Sequence, residues 1–293
     1  MAALRVKANA KINLYLAVTG KRPNGYHDLV TVMQSVSLAD TLSVERVGGE
    51  GISLDTGGVL PADDSNLVCR AAKAYFAKSG MPFGVCVKLE KQIPMQAGMG
   101  GGSADAAAML RALNELDGRR FTEAELCEIA AGIGADVPFC VVGGTRLCRG
   151  IGEVMEPIEN RLRGTLVVAI GGEGVSTPVA FGELDRKYRN FQEGGESAPD
   201  HLLPILAAMR SGILTEAKPH FYNMFEEVIQ PIRPVVGEIK ETMCDYGASA
   251  AMMSGSGPSV WGIFADASDA ERAKAALLAA GHRAYVCEMV EEI

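Results

Sequence analysis

The chain has 293 residues, 48% of them hydrophobic and 22% charged, the balance of a globular protein rather than a disordered one, and its length is that of about two domains. With 28 Lys and Arg against 36 Asp and Glu the net charge is −8, which disfavours a nucleic-acid binder with its basic surface. Seven cysteines without a CxxC pair fit reduced thiols better than a disulfide framework or zinc ribbon, and no apolar run reaches the roughly 18 residues of a membrane span, so a cytoplasmic protein with no membrane partner is expected.

In chain order, Leu4 to Val18 reads as extended, followed by a turn at Lys21 to Gly25, where Asn-Gly tolerates positive φ. Leu29–Leu38 and Thr41–Val47 read as two further strands, and a loop rich in Gly, Asp and Pro leads to a helix from about Ser65 to Lys78. Its Leu67, Ala71 and Tyr75 recur at helical spacing. Val85–Leu89 is a strand, and the glycine run Gly98 to Gly102 opens a helix at Ser103–Leu116. Thr122 with Glu125, and Ser268 with Glu271, have the spacing of capping boxes. Val137–Val142 and Thr165–Ile170 read as buried strands, and Tyr188–Asp200 as a mobile surface loop. Helices over Leu202–Arg210 and Ile232–Tyr246 and strands over Ala248–Met253, Ser259–Ala265 and Ala284–Met289 complete the pattern. Without a steady βαβ alternation this is an α+β chain. The Gly-, Pro- and charge-rich stretch Ile151–Arg163 divides it into domains 1–155 and 156–293.

Four stretches carry chemistry. In Pro94–Ala107, PMQAGMGGGSADAA, four glycines in five positions meet a helix start, whose unpaired N–H groups and partial positive charge suit a phosphate. The Walker lysine and the Rossmann fingerprint are both absent, and a plain turn before a helix is the alternative. A second glycine cluster, Met253–Val260, lies between two strands and reads equally as a tight turn. In Ala8–Leu16, Lys11 and Asn13 share one side of an extended segment, while an edge lysine in solvent is the simpler reading. Asp136, in Gly134–Phe139, sits between a helix end and an apolar segment, as a catalytic carboxylate or a turn former. His201, His220 and His282 are far apart in sequence and lack an HExxH partner, so no metal site is expected from them. Trp261 reads as core, the cysteines mostly as small core hydrophobes, and Glu288–Glu292 as a solvated tail.

Together these stretches resemble the GHMP kinase superfamily over almost the whole chain. The resemblance takes in AKINLYLAVTGKRPNGYHDL (Ala10–Leu29), Ser65-Asn66-Leu67, the glycine loop, GADVPF, STPVAF (Ser176–Phe181) and MSGSGPSVWGIF (Met253–Phe264). The resemblance implies a two-domain fold with the active site in the cleft between the domains. GYHDL and TPxxF narrow it to members that use ATP to phosphorylate the 2-hydroxyl of 4-diphosphocytidyl-2-C-methyl-D-erythritol in the non-mevalonate isoprenoid pathway. Lys11 and Asp136 then match catalytic positions, and Asn13, Tyr26, His27, Thr177 and Phe181 match substrate-binding ones, the two aromatics enclosing cytosine while His27 reads its edge. Asn66, Leu67, Lys91, Pro94, Met95, Gly98, Gly100, Gly101, Gly102 and Ser103 match the ATP side, with Ser103 near Mg²⁺. A lysine beside a carboxylate agrees with this chemistry, because the carboxylate can take the hydroxyl proton while the lysine stabilises charge. The chain departs from the family at Ala104, where a second Ser is usual, at Met99 for Leu and at Met224 for Asp. Another GHMP kinase, acting on homoserine or mevalonate, and a non-catalytic nucleotide binder on the same fold remain open. A monomer or a homodimer is expected.

Overall fold

Two long strands organise the N-terminal half of the computed structural model, which describes residues 3–188 and 200–293. β1 (Leu4–Lys21) and β2 (His27–Val47) pair antiparallel about the turn, where Gly25 has φ 86°. Their register shifts at Asn9/Lys11 and again at Asn13/Tyr15, so irregularities flank the Lys11–Asn13 stretch, a common way for a strand to re-aim side chains. β3 (Ile52–Asp55), α1 (Leu67–Ser79), β4 (Gly84–Glu90), α2 (Gly101–Leu116), α3 (Glu123–Ala131), α4 (Val137–Val142), β5 (Thr145–Arg149) and β6 (Val154–Pro157) follow. Then come β7 (Thr165–Ile170), α5 (Thr177–Lys187), α6 (Leu202–Ser211), α7 (Leu214–Ala217), β8 (Tyr222–Asn223) and α8 (Glu226–Ile229). The chain closes with α9 (Val235–Asp245), β9 (Ala250–Met253), β10 (Ser259–Phe264), α10 (Ala267–Ala279) and β11 (Arg283–Cys287).

A seven-stranded sheet runs β3-β4-β2-β1-β8 with β5 and β6 branching from β2, and a four-stranded antiparallel sheet runs β11-β7-β10-β9. The fold is α+β, as expected. One large core joins the first sheet to the Ala-rich α2, whose Ala104, Ala106, Ala107 and Ala108 are buried and let the helix lie close. A smaller core lies between the second sheet and α5, α8, α9 and α10. The halves interlock: β8 pairs parallel with β1, and the last residues are strapped to β2, with Val290 N–H donating to Ser35 O and Glu288 N–H to Ser37 Oγ.

Several expectations are corrected. Val137–Val142 is a helix; a six-residue apolar run has no decisive period, but Pro138 in its first turn favours helix. β2 continues through Ala39-Asp40 without the expected break, because the buried Asp40 carboxylate finds partners there. The last long helix is capped by Asp266, whose carboxylate accepts from Ser268 N–H at 2.7 Å, so Ser268 is not its cap, whereas the Thr122–Glu125 box is present. The helix expected from Ile232 starts only at Val235, after Pro234. The tail at Glu288–Glu292 keeps its carboxylates exposed, but its backbone is paired rather than free. All seven cysteines are free thiols, but Cys86 and Cys244 are exposed rather than core. Most of Tyr188–Asp200, namely 189–199, lies outside the described residues.

Candidate active site

A cavity of about 1340 Å³ is lined from both halves of the chain. Its floor is β1. Lys11, buried to 6% side-chain exposure, donates to Asn13 Oδ1 at 2.9 Å and lies 3.6 Å from Asp136 Oδ2, whose carboxyl is 35% exposed. Asn13 is fixed on every side. Its amide donates to Thr31 Oγ1 at 2.8 Å, its N–H to Ser254 Oγ at 3.3 Å, and its carbonyl accepts from Trp261 Nε1 at 3.0 Å. Asp136 stands just before α4 and spends no side-chain oxygen on capping, so its carboxylate is left for the cavity.

The glycine loop forms one wall. Gly100 takes the cap position of α2 with φ 68°, and no side chain caps the helix, so the first N–H groups of α2 are left for a ligand. A Cβ on Gly100 would lie 3.2 Å from Lys11 Cγ and 3.8 Å from Asp136 Oδ2, so the loop packs directly on the ion pair. Gly98 is squeezed from behind: a Cβ there would lie 2.2 Å from Ser254 O. Ser254 Oγ donates to Gly98 O at 3.1 Å, so the second glycine cluster braces the first. Leu67, Pro94, Met95 and Ser103 line the same wall. Asn66 does not. Its oxygen caps α1 by accepting from Val68 N–H at 2.9 Å, and its amide donates to Pro61 O at 2.8 Å.

Opposite the loop is an aromatic corner. Tyr26 is 56% exposed, while His27 is buried and stacks on Phe181 with ring centroids 4.5 Å apart and planes 13° from parallel. Phe225 meets Phe181 edge-on at 5.0 Å. Thr177, Phe181 and Asp185 recur every fourth residue on α5 and share the cavity face. Asp185 accepts from Lys21 Nζ at 2.6 Å and pairs with His27 Nε2 at 2.7 Å. Partial burial raises its carboxyl, but hydrogen bonds from Lys21 and His27 outweigh that and hold it below the usual range.

The glycine loop braced on a Lys–Asp pair narrows the field, and comparison with known proteins decides it. Residues 66–144 match the GHMP kinases N terminal domain and residues 205–283 the GHMP kinases C terminal domain. The 4-diphosphocytidyl-2-C-methyl-D-erythritol kinase of Pelotomaculum thermopropionicum is 41% identical over 92% of this chain and 91% of its own. That of Acaryochloris marina is 40% identical over 92% and 90%. This chain belongs to the 4-diphosphocytidyl-2-C-methyl-D-erythritol kinase family of the GHMP kinases. A crystal structure of a 4-(cytidine 5'-diphospho)-2C-methyl-D-erythritol kinase superposes with a TM-score of 0.82 at 35% identity, covering 98% of this chain and 99% of the other. Homoserine kinase from Cytophaga hutchinsonii (TM-score 0.78, 19% identity, 100% and 96% covered) shares the fold alone.

Of the residues singled out from this kinase's sequence, all but Asn66 line the one cavity. Sequence reasoning missed Asp185, although it lies one helical turn beyond Phe181 and so on the same face. It also named neither Ser254 nor Ser256, small residues inside a glycine cluster that reads equally as a tight turn; Thr177 Oγ1 lies 3.3 Å from Ser256 Oγ. Lys91 reaches the cavity with its amine bound by Asp40 and, at 2.6 Å, by Asp105. Burial pushes Asp105 up to about 7, with Lys91 acting against the rise and Asp40 adding to it. His201 and His220, 19 positions apart in sequence, meet with Nδ1 atoms 3.3 Å apart and are not part of the cavity lining. No group of three or more His, Cys, Asp or Glu that could hold a metal occurs among the described residues. Ser103, which carries a hydroxyl, nevertheless lines the cavity. Mg²⁺ arriving with a nucleotide keeps waters and phosphate oxygens and asks the protein for few ligands, so this donor fits it.

Proposed function

We propose that this chain transfers the γ-phosphoryl group of ATP to the 2-hydroxyl of 4-diphosphocytidyl-2-C-methyl-D-erythritol, giving the 2-phosphate and ADP, in the cytoplasmic non-mevalonate route to isoprenoid precursors. The observation that carries the reading is the Lys11–Asp136 pair packed against Gly100 in the cavity that also holds Tyr26, His27 and Phe181. We read the chain as two domains, 1–155 and 156–293, with this cavity as the cleft between them.

The acceptor hydroxyl sits beside Asp136, which takes its proton as the oxygen attacks the γ-phosphorus. Lys11, 3.6 Å from that carboxylate, offers positive charge to the transferring group. The free N–H groups at the start of α2 and the Ser103 hydroxyl receive the phosphates, while Leu67, Pro94 and Met95 border the nucleoside. Asn66 contributes through its cap, which fixes the start of α1 beside Leu67. Ser103 would help to hold a Mg²⁺ ion carried in with the phosphates, which when bound would supply positive charge against them. The cytosine enters the aromatic corner, with Tyr26 and Phe181 supplying ring faces, His27 a polar edge and Thr177 a hydroxyl. Neither homoserine nor mevalonate has a base to occupy that corner, and a protein that only binds nucleotide has no use for the Lys11–Asp136 pair.

Incubation with ATP, Mg²⁺ and 4-diphosphocytidyl-2-C-methyl-D-erythritol should yield ADP and a 2-phosphate seen by phosphorus NMR. Turnover of homoserine or mevalonate in place of that substrate would overturn the substrate assignment, and ATP binding without any turnover would overturn the catalytic one.

A further inference from the structure

Behind the glycine loop lies a group of three charged side chains, all nine-tenths or more buried. They come from three parts of the chain: Asp40 from β2, Lys91 from the segment that follows β4, and Asp105 from the second turn of α2. Asp40 Oδ1 accepts from the backbone N–H of Gln92 and, at 2.8 Å, from that of Ile93, and its other oxygen pairs with Lys91. Lys91 Nζ in turn donates to Asp105 Oδ2 at 2.6 Å. The segment thus pinned places Ile93 against the helix start: a Cβ on Gly101 would lie 3.0 Å from Ile93 Cγ2 and 3.5 Å from Lys91 Nζ. Asp105 Oδ1 is buried and receives no hydrogen bond.

Burying a lysine between two carboxyl groups carries a desolvation cost that well-packed apolar residues would avoid, so such a cluster is weak evidence for stability. Its geometry does something apolar packing cannot. It ties a strand, a loop and a helix to one point through directional bonds, one turn below the N–H groups that face the cavity. The Lys91 amine is held between two carboxylates, so little of it is left for a phosphate.

We propose that Asp40, Lys91 and Asp105 form a buried clamp that fixes the start of α2 in its phosphate-receiving position, making Lys91 a positioning residue rather than a nucleotide ligand. The inference rests on the kinase reading above, which supplies the nucleotide.

The sign of one substitution separates the two roles of Lys91. Asp105→Leu opens the helix side of the clamp and leaves Lys91 paired with Asp40. If Lys91 only positions the helix, ADP affinity measured by calorimetry should fall roughly 10- to 100-fold, the scale of a small misplacement transmitted from outside the reacting groups. If Lys91 binds phosphate directly, freeing it from Asp105 should leave ADP affinity unchanged or tighten it, and that result overturns the clamp. Asp105→Asn, whose amide can accept from Lys91 and donate towards Asp40, should restore ADP affinity to within about threefold of wild type. An Asn variant as weak as the Leu variant overturns the clamp as well. The KM for the cytidylyl substrate should stay near wild type in both, which a general loss of structure would not produce. Should the Leu variant fail to fold, Asp105→Ala keeps helix propensity and carries the same two outcomes. A wild-type protein that binds no ADP overturns the kinase reading and the clamp together.

Discussion

The Lys11–Asp136 pair is asymmetric: the amine is buried and the carboxylate faces the cavity. That suits a base which must meet an incoming hydroxyl while its counter-charge stays fixed. Asp136→Asn keeps the shape and removes the charge. We expect kcat to fall by about 10² to 10⁴, the range of general-base contributions, with ATP affinity little changed. A variant retaining a third or more of the wild-type kcat, about 0.65 kcal/mol of barrier or less, would rule the base assignment out. For the base corner, the structure changes the choice of probe. From the sequence, Tyr26 looks the riskier ring to remove, because it adjoins His27. Yet it is Phe181 that stacks on His27 and packs on Phe225, whereas Tyr26 is largely exposed. Tyr26→Ala should therefore raise KM for the cytidylyl substrate about 5- to 150-fold, the scale of one lost base–aromatic stack, at little cost in stability. Equal rises in KM for both substrates would mean that Tyr26 does not read the base. These residues were legible because each sits in a short motif. Asp40 was not: a lone Asp between two apolar runs reads as a break, and only the folded partner set shows it as part of a strand.

At the scale of elements, α5 joins the aromatic corner to the first sheet. Its Asp185 holds Lys21 at the end of β1 and His27 at the start of β2, so the helix and the hairpin mouth are fastened together. Because its partners hold Asp185 below the ordinary 3.8, the fastening is fully present above that value and is lost as pH falls through the lowered one. Asp185→Asn should cost about 1 kcal/mol at neutral pH, the upper end for a partly exposed ion pair. The difference in melting temperature between wild type and variant should then close as acid protonates the wild-type carboxyl. A gap that persists in acid would show that shape, not charge, fastens the helix. Long elements such as β1 and α2 were readable from period and composition. Short ones were not: α4 holds only six residues, too few for the helical period to separate from a buried strand.

The whole molecule is less divisible than its sequence suggests. A Gly- and Pro-rich stretch marks a boundary near Ile151–Arg163, yet the later half returns β8 to the edge of β1 and lays its last residues along β2. No local pattern in a two-residue strand, or in a tail rich in Glu, announces such long-range pairing. Ser254 and Trp261 cross the same divide, each hydrogen-bonded to the Asn13 backbone. Melting followed by circular dichroism should therefore give one transition rather than two. Two well-separated transitions would mean that the halves hold together only loosely.

Trp261 makes that question optically tractable. It is the only tryptophan in the chain, fully buried in the second sheet, and its ring nitrogen bonds a carbonyl of the first. Its emission is thus an intrinsic dye placed on the seam, and it needs no label. In the native state it should fluoresce at short wavelength, and parting of the seam, even with each half still folded, should shift it to the red. If the red shift precedes the loss of circular dichroism, the two halves slide apart before they melt; if the curves coincide, the seam is as strong as either core.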